Sequence, residues 1–424
     1  MLDIKFIREN KEIIKAGAKK KHINIDIEEL IKKDDERKDL LSRVDSMRAR
    51  QNEVSQQIPT ADESLKQDLL EEMATLKTEL QHNEQALREI MNEWKKLMLQ
   101  VPNIPDMSVP EGESDSENQE IRKWGEIPNF DFEPKNHIDL MTSLDLADFE
   151  KGAKISGFRG YILKNEGALL QFAIQQYVIK KLVEKGFSAM IVPSLVNQET
   201  LLGTGYLPQG EDDLYKTQDN NYLSGTGEVA TMSYHSGEVL NKKDLPKKYL
   251  AYSPCFRREA GSHSKDTKGL IRVHEFHKLE QVVLCEASHE ESVKHHEELT
   301  QNAEEILQEL NIPYRIVVNC GGDLGLGQVK KYDIEAWVPS QKSYRETHSA
   351  SYFHDFQTRR LNIKYDDEGV KRYVHSLNNT AIAFPRILVQ IIENNQNADG
   401  SINIPKVLVP FVGKEIIQKI SKTN

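Results

Sequence analysis

Two heptad seams broken by a proline constrain this chain more than any other feature. Leu40, Val44, Met47, Gln51, Val54 and Ile58 recur at alternating spacings of four and three. Leu69, Met73, Leu76, Leu80, Asn83, Leu87, Ile90, Trp94 and Leu97 do the same. That period keeps one apolar stripe on one face of a helix. Pro59, Thr60, Ala61 and Asp62 separate the two runs, and proline cannot continue a helix interior. Two seams with a short break predict an antiparallel helical hairpin, whose second helix would extend about 55 Å at 1.5 Å per residue. Arg37, Lys38, Arg43, Arg48 and Arg50 could turn toward phosphates while the seam faces its partner, although Asp39 and Asp45 dilute that charge. A hairpin that braces the protein or dimerises it is the other reading.

The chain has 424 residues, enough for two or three domains and a large core. Its net charge of -11 argues against indiscriminate coating of nucleic acid, yet a local cluster of cations can still bind it. No run approaches the roughly 18 apolar residues of a membrane span, and the N-terminus MLDIKFIRENKEIIK lacks the apolar core of a secretion signal. Cys255, Cys285 and Cys320 are widely spaced and form no C-x-x-C pair. Reduced thiols without a zinc site, in a cytoplasmic protein, are expected. Residues 101–135, opening with VPNIPDMSVPEGESDSENQE, read as a linker between a helical domain at 1–100 and a body at 136–424. The body mixes alternating strands with helices and shows no strict βαβ order, which predicts an α+β fold on a mostly antiparallel sheet.

Chemistry concentrates in residues 255–280, CFRREAGSHSKDTKGLIRVHEFHKLE. If Arg257 and Glu259 lie in a strand, they share a face. A guanidinium there can hold phosphate or carboxylate oxygens bidentately, and a carboxylate can accept from an exocyclic amine. Beyond a charged loop, Leu270, Arg272, His274, Phe276, Lys278 and Glu280 form a second like-facing set. Two antiparallel strands would then present arginine, glutamate, aromatic ring and a second glutamate to one ligand. A solvated surface hairpin would carry the same spacing.

This stretch resembles motif 2 of class II aminoacyl-tRNA synthetases, and FRREAG followed by DTKGLIRVHEFHKLE is similar to the seryl-tRNA synthetase form. The resemblance implies that Arg257 contacts the α-phosphate and the amino-acid carboxylate, Glu259 the adenine amino group, Phe276 the adenine ring and Glu280 the serine. It places Val273 in the ATP pocket as well. It also implies that the hairpin grips the variable arm of tRNA. GFRGYILKNEGALL with GFSAMIVPSLV, at 157–196, resembles motif 1, the dimer-forming helix and strand. Thr226-Gly227-Glu228 matches the family's serine-binding T-x-E triplet, although its flanks depart from the usual wording and a solvated turn would read the same way. YRETHSASYFHDFQ, at 344–357, is similar to the run whose Glu346 and Ser349 hold Mg²⁺ and nucleotide oxygens. Thr347 and His348 replace the usual residues between them, as Ala350, Tyr352 and Phe353 do farther on. VHSLNNTAIAFPRILVQIIE, at 374–393, resembles motif 3, with Arg386 against the γ-phosphate, Pro385 where glycine is usual, and Thr380 beside the serine hydroxyl.

The resemblance therefore implies a homodimeric enzyme that uses ATP and Mg²⁺ to activate L-serine and loads it onto the 3′ end of tRNA(Ser), with tRNA(Sec) left open as a second acceptor. Arg257 and Arg386 are the expected catalytic cations. Two relatives are alternatives: a ligase loading a carrier protein, which should lack the arm, and a silent paralogue, which should lack Arg257, Glu259 or Arg386. A structural coiled-coil protein is the outsider. The glycines of GGDLGLG at 321–327 lack the G-K-S/T that a phosphate loop requires. His274, His277, His295 and His296 read as solvated or structural side chains rather than metal ligands.

Overall fold

The computed structural model describes residues 1–261 and 266–419, so part of the charged loop expected after Gly261 lies outside the described residues. The chain divides into two units, Met1–Lys19 with Ile23–Pro102, and Lys20–His22 with Asn103–Asn424.

In the first unit, helices Ile27–Gln57 and Glu63–Gln100 form the expected antiparallel pair. Every seam residue is buried or half-buried. The break is a single 3-10 turn at Ile58–Thr60, after which the Asp62 side chain accepts from the Leu65 amide at 3.0 Å and starts the second helix. Polar contacts between the two helices fix the register. Asn83 reaches the Met47 sulfur at 3.7 Å, Arg48 pairs with Glu84 at 2.7 Å and Arg50 with Glu72 at 2.7 Å. Asp34 is fully buried but gathers Arg8, Arg37 and Lys38, so its charge is compensated three times. Four of the five cations read as phosphate-facing are thus engaged within the unit, while Arg43 is exposed.

The second unit is built on an eight-stranded sheet. Its strands are β1 Gln119–Trp124, β2 Ser188–Ile191, β3 Lys247–Phe256, β4 Glu275–Cys285, β5 Tyr314–Val318, β6 Lys330–Val338, β7 Ser343–His354 and β8 His375–Ala383. They lie in the order β1-β5-β6-β7-β8-β4-β3-β2, antiparallel throughout except for the parallel β2–β3 edge. Residues 101–135, expected as a linker, therefore supply an edge strand whose exposed, charged side chains hide its pairing with Tyr314–Val318. Alternation sets the two faces of the central strands. Leu279, Ala350 and Ala381 point into an apolar core filled by helices Asn165–Glu184, His289–Glu309 and Phe384–Asn394, through Leu170, Ile174, Ile306 and Leu388. Lys278, Glu280, Ser349, Ser351, Asn378 and Thr380 point the other way.

Candidate active site

Those outward residues floor a cleft that also takes in Glu228, Arg257, Glu259, Val273, Phe276, Glu346 and Arg386. Every residue expected at the site lines this cleft except Thr226, which stands directly behind Lys278.

The strand geometry expected for Arg257 and Glu259 needs correction. β3 ends at Phe256 and β4 starts only at Glu275, so both residues have left the sheet. Glu259 adopts a left-handed φ of 55°, which breaks alternation and aims its carboxylate at Arg272, 2.6 Å away. The Arg257 guanidinium lies over the Phe276 ring at 5.4 Å, and its Nε donates to the Gly225 carbonyl at 3.4 Å. The far end of the connecting loop is tied down by His137. Its Nε2 accepts from the Leu270 amide at 3.2 Å, so Nδ1 carries the proton that faces Glu393 at 2.8 Å. Gly269 permits this approach: its φ is +87°, and a Cβ there would sit 2.2 Å from His137 Nε2.

At the other end of the cleft, Lys278 and Glu280 share one face of β4 and pair at 2.6 Å. Lys278 also donates to the Thr226 hydroxyl at 2.7 Å, and Thr380 donates to Glu280 at 3.4 Å. Thr226 caps the helix Gly227–Ser233, which delivers Glu228 into the pocket. Gln357 donates to Glu228 at 2.6 Å and Tyr206 at 2.9 Å. Burial pushes the Glu228 carboxyl above its ordinary range, against the hydrogen bonds of Gln357 and Tyr206, and the charge of Glu280 adds to that push. Lys278 pairs with Glu280 while Glu228 has the neutral partners Gln357 and Tyr206, which leaves the pocket suited to a second cation such as an α-ammonium. Lys278, Tyr206 and Gln357 carry this arrangement and had no assigned role in the sequence; the alternation Phe276-Lys278-Glu280 was the one visible signal.

Glu346 and Arg386 meet along the cleft wall, Arg386 Nη1 lying 3.2 Å from Glu346 Oε1 and 3.1 Å from its backbone carbonyl. The recess of the cleft opposes ionisation of Glu346, but Arg386, Lys331 and Arg257 outweigh it and hold the carboxyl well below the usual range. Pro385, unusual by family pattern, sits in the first turn of the helix Phe384–Asn394, where a missing amide costs nothing. Thr347 lines the cleft, whereas burial lowers His348 to about 4, so its imidazole is neutral and accepts or donates only within the sheet. Among the described residues no group of three His, Cys, Asp or Glu side chains could enclose a metal. Glu346 and Ser349 offer hard oxygen donors only, so a cation here would draw its remaining ligands from phosphate and water.

Residues 1–105 match the family described as seryl-tRNA synthetase N-terminal domain, and residues 213–395 the tRNA synthetase class II core domain (G, H, P, S and T). The chain is 43% identical to a serine--tRNA ligase of Deinococcus radiodurans, across 97% of this chain and 98% of that one. It is 45% identical to the serine--tRNA ligase of Thermodesulfovibrio yellowstonii, across 99% and 100%. Among solved structures it resembles seryl-tRNA synthetase from Pyrococcus horikoshii complexed with ATP, with a TM-score of 0.89 and 39% identity over 99% of this chain and 100% of that one. Cytoplasmic serine-tRNA ligase from Naegleria fowleri in complex with AMP matches at a TM-score of 0.86 and 30% identity, over 99% of each chain.

Proposed function

The chain belongs to the seryl-tRNA synthetase family of class II aminoacyl-tRNA synthetases, and from that premise we propose how its own residues divide the work. The enzyme activates L-serine with ATP and transfers serine to tRNA. A serine carboxylate oxygen attacks the α-phosphorus and pyrophosphate leaves, giving seryl-adenylate. The 3′-terminal hydroxyl of tRNA then attacks the seryl carbonyl and AMP leaves.

The observation that carries the assignment is the meeting of two differently built ends in one cleft. Glu228 and Glu280 receive the serine ammonium and hydroxyl, with Thr226 and Thr380 completing the hydrogen bonds. Phe276 stacks on the adenine ring, Arg257 contacts the α-phosphate and the serine carboxylate, Val273 lines the ATP end, and Glu259 accepts from the adenine amine. Arg257 and Arg386 offset charge that grows on the phosphates, so positioning and electrostatics replace a nucleophilic side chain. Serine is distinguished from alanine because Glu280 and Thr380 would lose hydrogen bonds if no hydroxyl arrived. Mg²⁺ held by Glu346 and Ser349 would supply charge neutralisation to phosphate oxygens.

The hairpin at 27–100 is the tRNA(Ser)-binding element in this reading, with Arg43 outward. Leu169 and Phe172 on the helix Asn165–Glu184 are about half exposed and Ile191 on β2 is 86% exposed, which supports a homodimer through this face. No described helix is long and apolar enough to cross a membrane. Three buried, unpaired thiols suit the reducing cytoplasm, where we place the activity. The test is amino-acid-dependent ATP–pyrophosphate exchange over all twenty amino acids with Mg²⁺, followed by charging of tRNA(Ser) and tRNA(Sec). Exchange with serine alone is expected, and exchange with another amino acid in its place would overturn the pocket assignment.

A further inference from the structure

The loop 325–329, which overlaps the GGDLGLG stretch at 321–327 set aside as an imperfect phosphate motif, is held from behind at every carbonyl. Lys21 Nζ donates to Gly325 at 3.1 Å, Leu326 at 3.0 Å and Gln328 at 2.5 Å. The Asn103 side chain donates to Gly327 at 3.0 Å and to Phe353 at 2.7 Å, its amide donates to Leu326 at 2.9 Å, and the Asp106 amide donates to Val329 at 2.9 Å. All of these groups belong to the second unit. With its backbone turned away and fixed, the loop has one side chain to offer the cleft, that of Gln328.

The Gln328 amide is used at both ends. Its Oε1 accepts from the Gly325 amide at 2.6 Å and its Nε2 donates to the Ser351 hydroxyl at 2.8 Å, so the group cannot flip without losing both bonds. Ser351 stands opposite Asn378 on β8, two positions from Thr380, which stands opposite Glu280 on β4. Gln328, Ser351, Asn378 and Thr380 therefore run as a continuous row from the loop to the serine-hydroxyl end of the pocket. Because Ser351 Oγ accepts from Gln328, its own proton is directed elsewhere, with the cleft in front of it.

We infer that Gln328 is a specificity-determining residue of the amino-acid pocket, fixing the Ser351 hydroxyl and closing the space beyond Thr380 that a larger side chain would occupy. This rests on the assignment of that end of the cleft to serine. A wall of this kind discriminates by size, and one methyl group in a tight pocket is worth about tenfold or more in kcat/KM.

The experiment is ATP–pyrophosphate exchange by the full-length enzyme with serine and with threonine, comparing wild type, Gln328→Ala, Gln328→Glu and Glu280→Ala. Gln328→Ala should lower the serine-to-threonine ratio of kcat/KM by about tenfold while leaving the ATP KM unchanged. Gln328→Glu fills the same space and still accepts from Gly325, so it should raise the serine KM without admitting threonine. It also serves as the folding control if the alanine variant is unstable. A wild-type ratio and serine KM in both Gln328 variants, alongside an impaired Glu280→Ala, would overturn the role of Gln328 alone. An unimpaired Glu280→Ala would overturn the pocket assignment and the inference with it.

Discussion

Lys278 and Glu280 form an ion pair at 2.6 Å on one face of a central strand, their side chains only 6% and 4% exposed. A pair this dry is held by what surrounds it, and here Thr226 and Thr380 supply the remaining hydrogen bonds. Removing one partner strands the other. Glu280→Ala should cost about 3–5 kcal/mol of stability and reduce serine-dependent exchange about 100-fold or more, through KM first. Thermal melts and exchange kinetics would show both; a stable variant with ordinary serine kinetics would remove Glu280 from the pocket.

Arg386→Ala removes the cation that meets both the side chain and the carbonyl of Glu346. Loss of one preorganised charge at a phosphoryl centre should lower kcat about 100- to 1,000-fold with a smaller change in serine KM. Single-turnover adenylate formation reports this directly, and a variant limited only by serine binding would contradict it.

The pH dependence of Glu346 has a definite sign. Arg386, Lys331 and Arg257 hold its folded value below the ordinary 4.5, prevailing over the recess of the cleft. A carboxyl depressed on folding adds stability above its unfolded value and loses it as pH falls through the folded one. Wild type should therefore exceed Glu346→Gln in melting temperature at neutral pH by more than it does below pH 4.5. A gap that widens in acid would reverse the assignment.

Arg43 is exposed, whereas Arg48 and Arg50 are engaged across the hairpin by Glu84 and Glu72. Arg43→Glu should raise the KM for tRNA several-fold, make its salt dependence shallower and leave ATP–pyrophosphate exchange untouched. Arg50→Ala should leave the melting temperature almost unchanged, as loss of a solvent-exposed pair does. Equal loss in exchange and charging for Arg43→Glu would place its effect in the body instead.

Phe172 is 54% exposed on the helix Asn165–Glu184. Phe172→Arg should convert a dimer to a monomer in light scattering, with a monomeric wild type refuting the interface.

The hairpin was legible in the sequence because heptad periodicity is local: each seam residue buries itself against a helix only a turn away in the chain. The alternation that put Phe276, Lys278 and Glu280 on one face was legible for the same reason. Residues 255–280 and 374–393 also located the cleft, since the family wording survives there with Arg257, Glu259 and Arg386 in place.

Other features depend on strands far apart in the chain. The strand Gln119–Trp124 shows little in its own composition and exists because Tyr314–Val318 needs a partner. Arg257 and Glu259 leave the strand that spacing would give them, because Glu259 turns to Arg272 with a left-handed backbone. The roles of Lys278 with Thr226, Gln357 with Glu228 and Gln328 with Ser351 arise from contacts spanning 52, 129 and 23 residues. Sequence by itself determined the helical hairpin, the alternating strand through Phe276, Lys278 and Glu280, and which residue types carry the chemistry, since those follow from local periodicity and local wording. Only the tertiary structure decided which charges are paired, which are buried and which line the cleft, because burial and pairing are properties of the packed sheet rather than of any one segment.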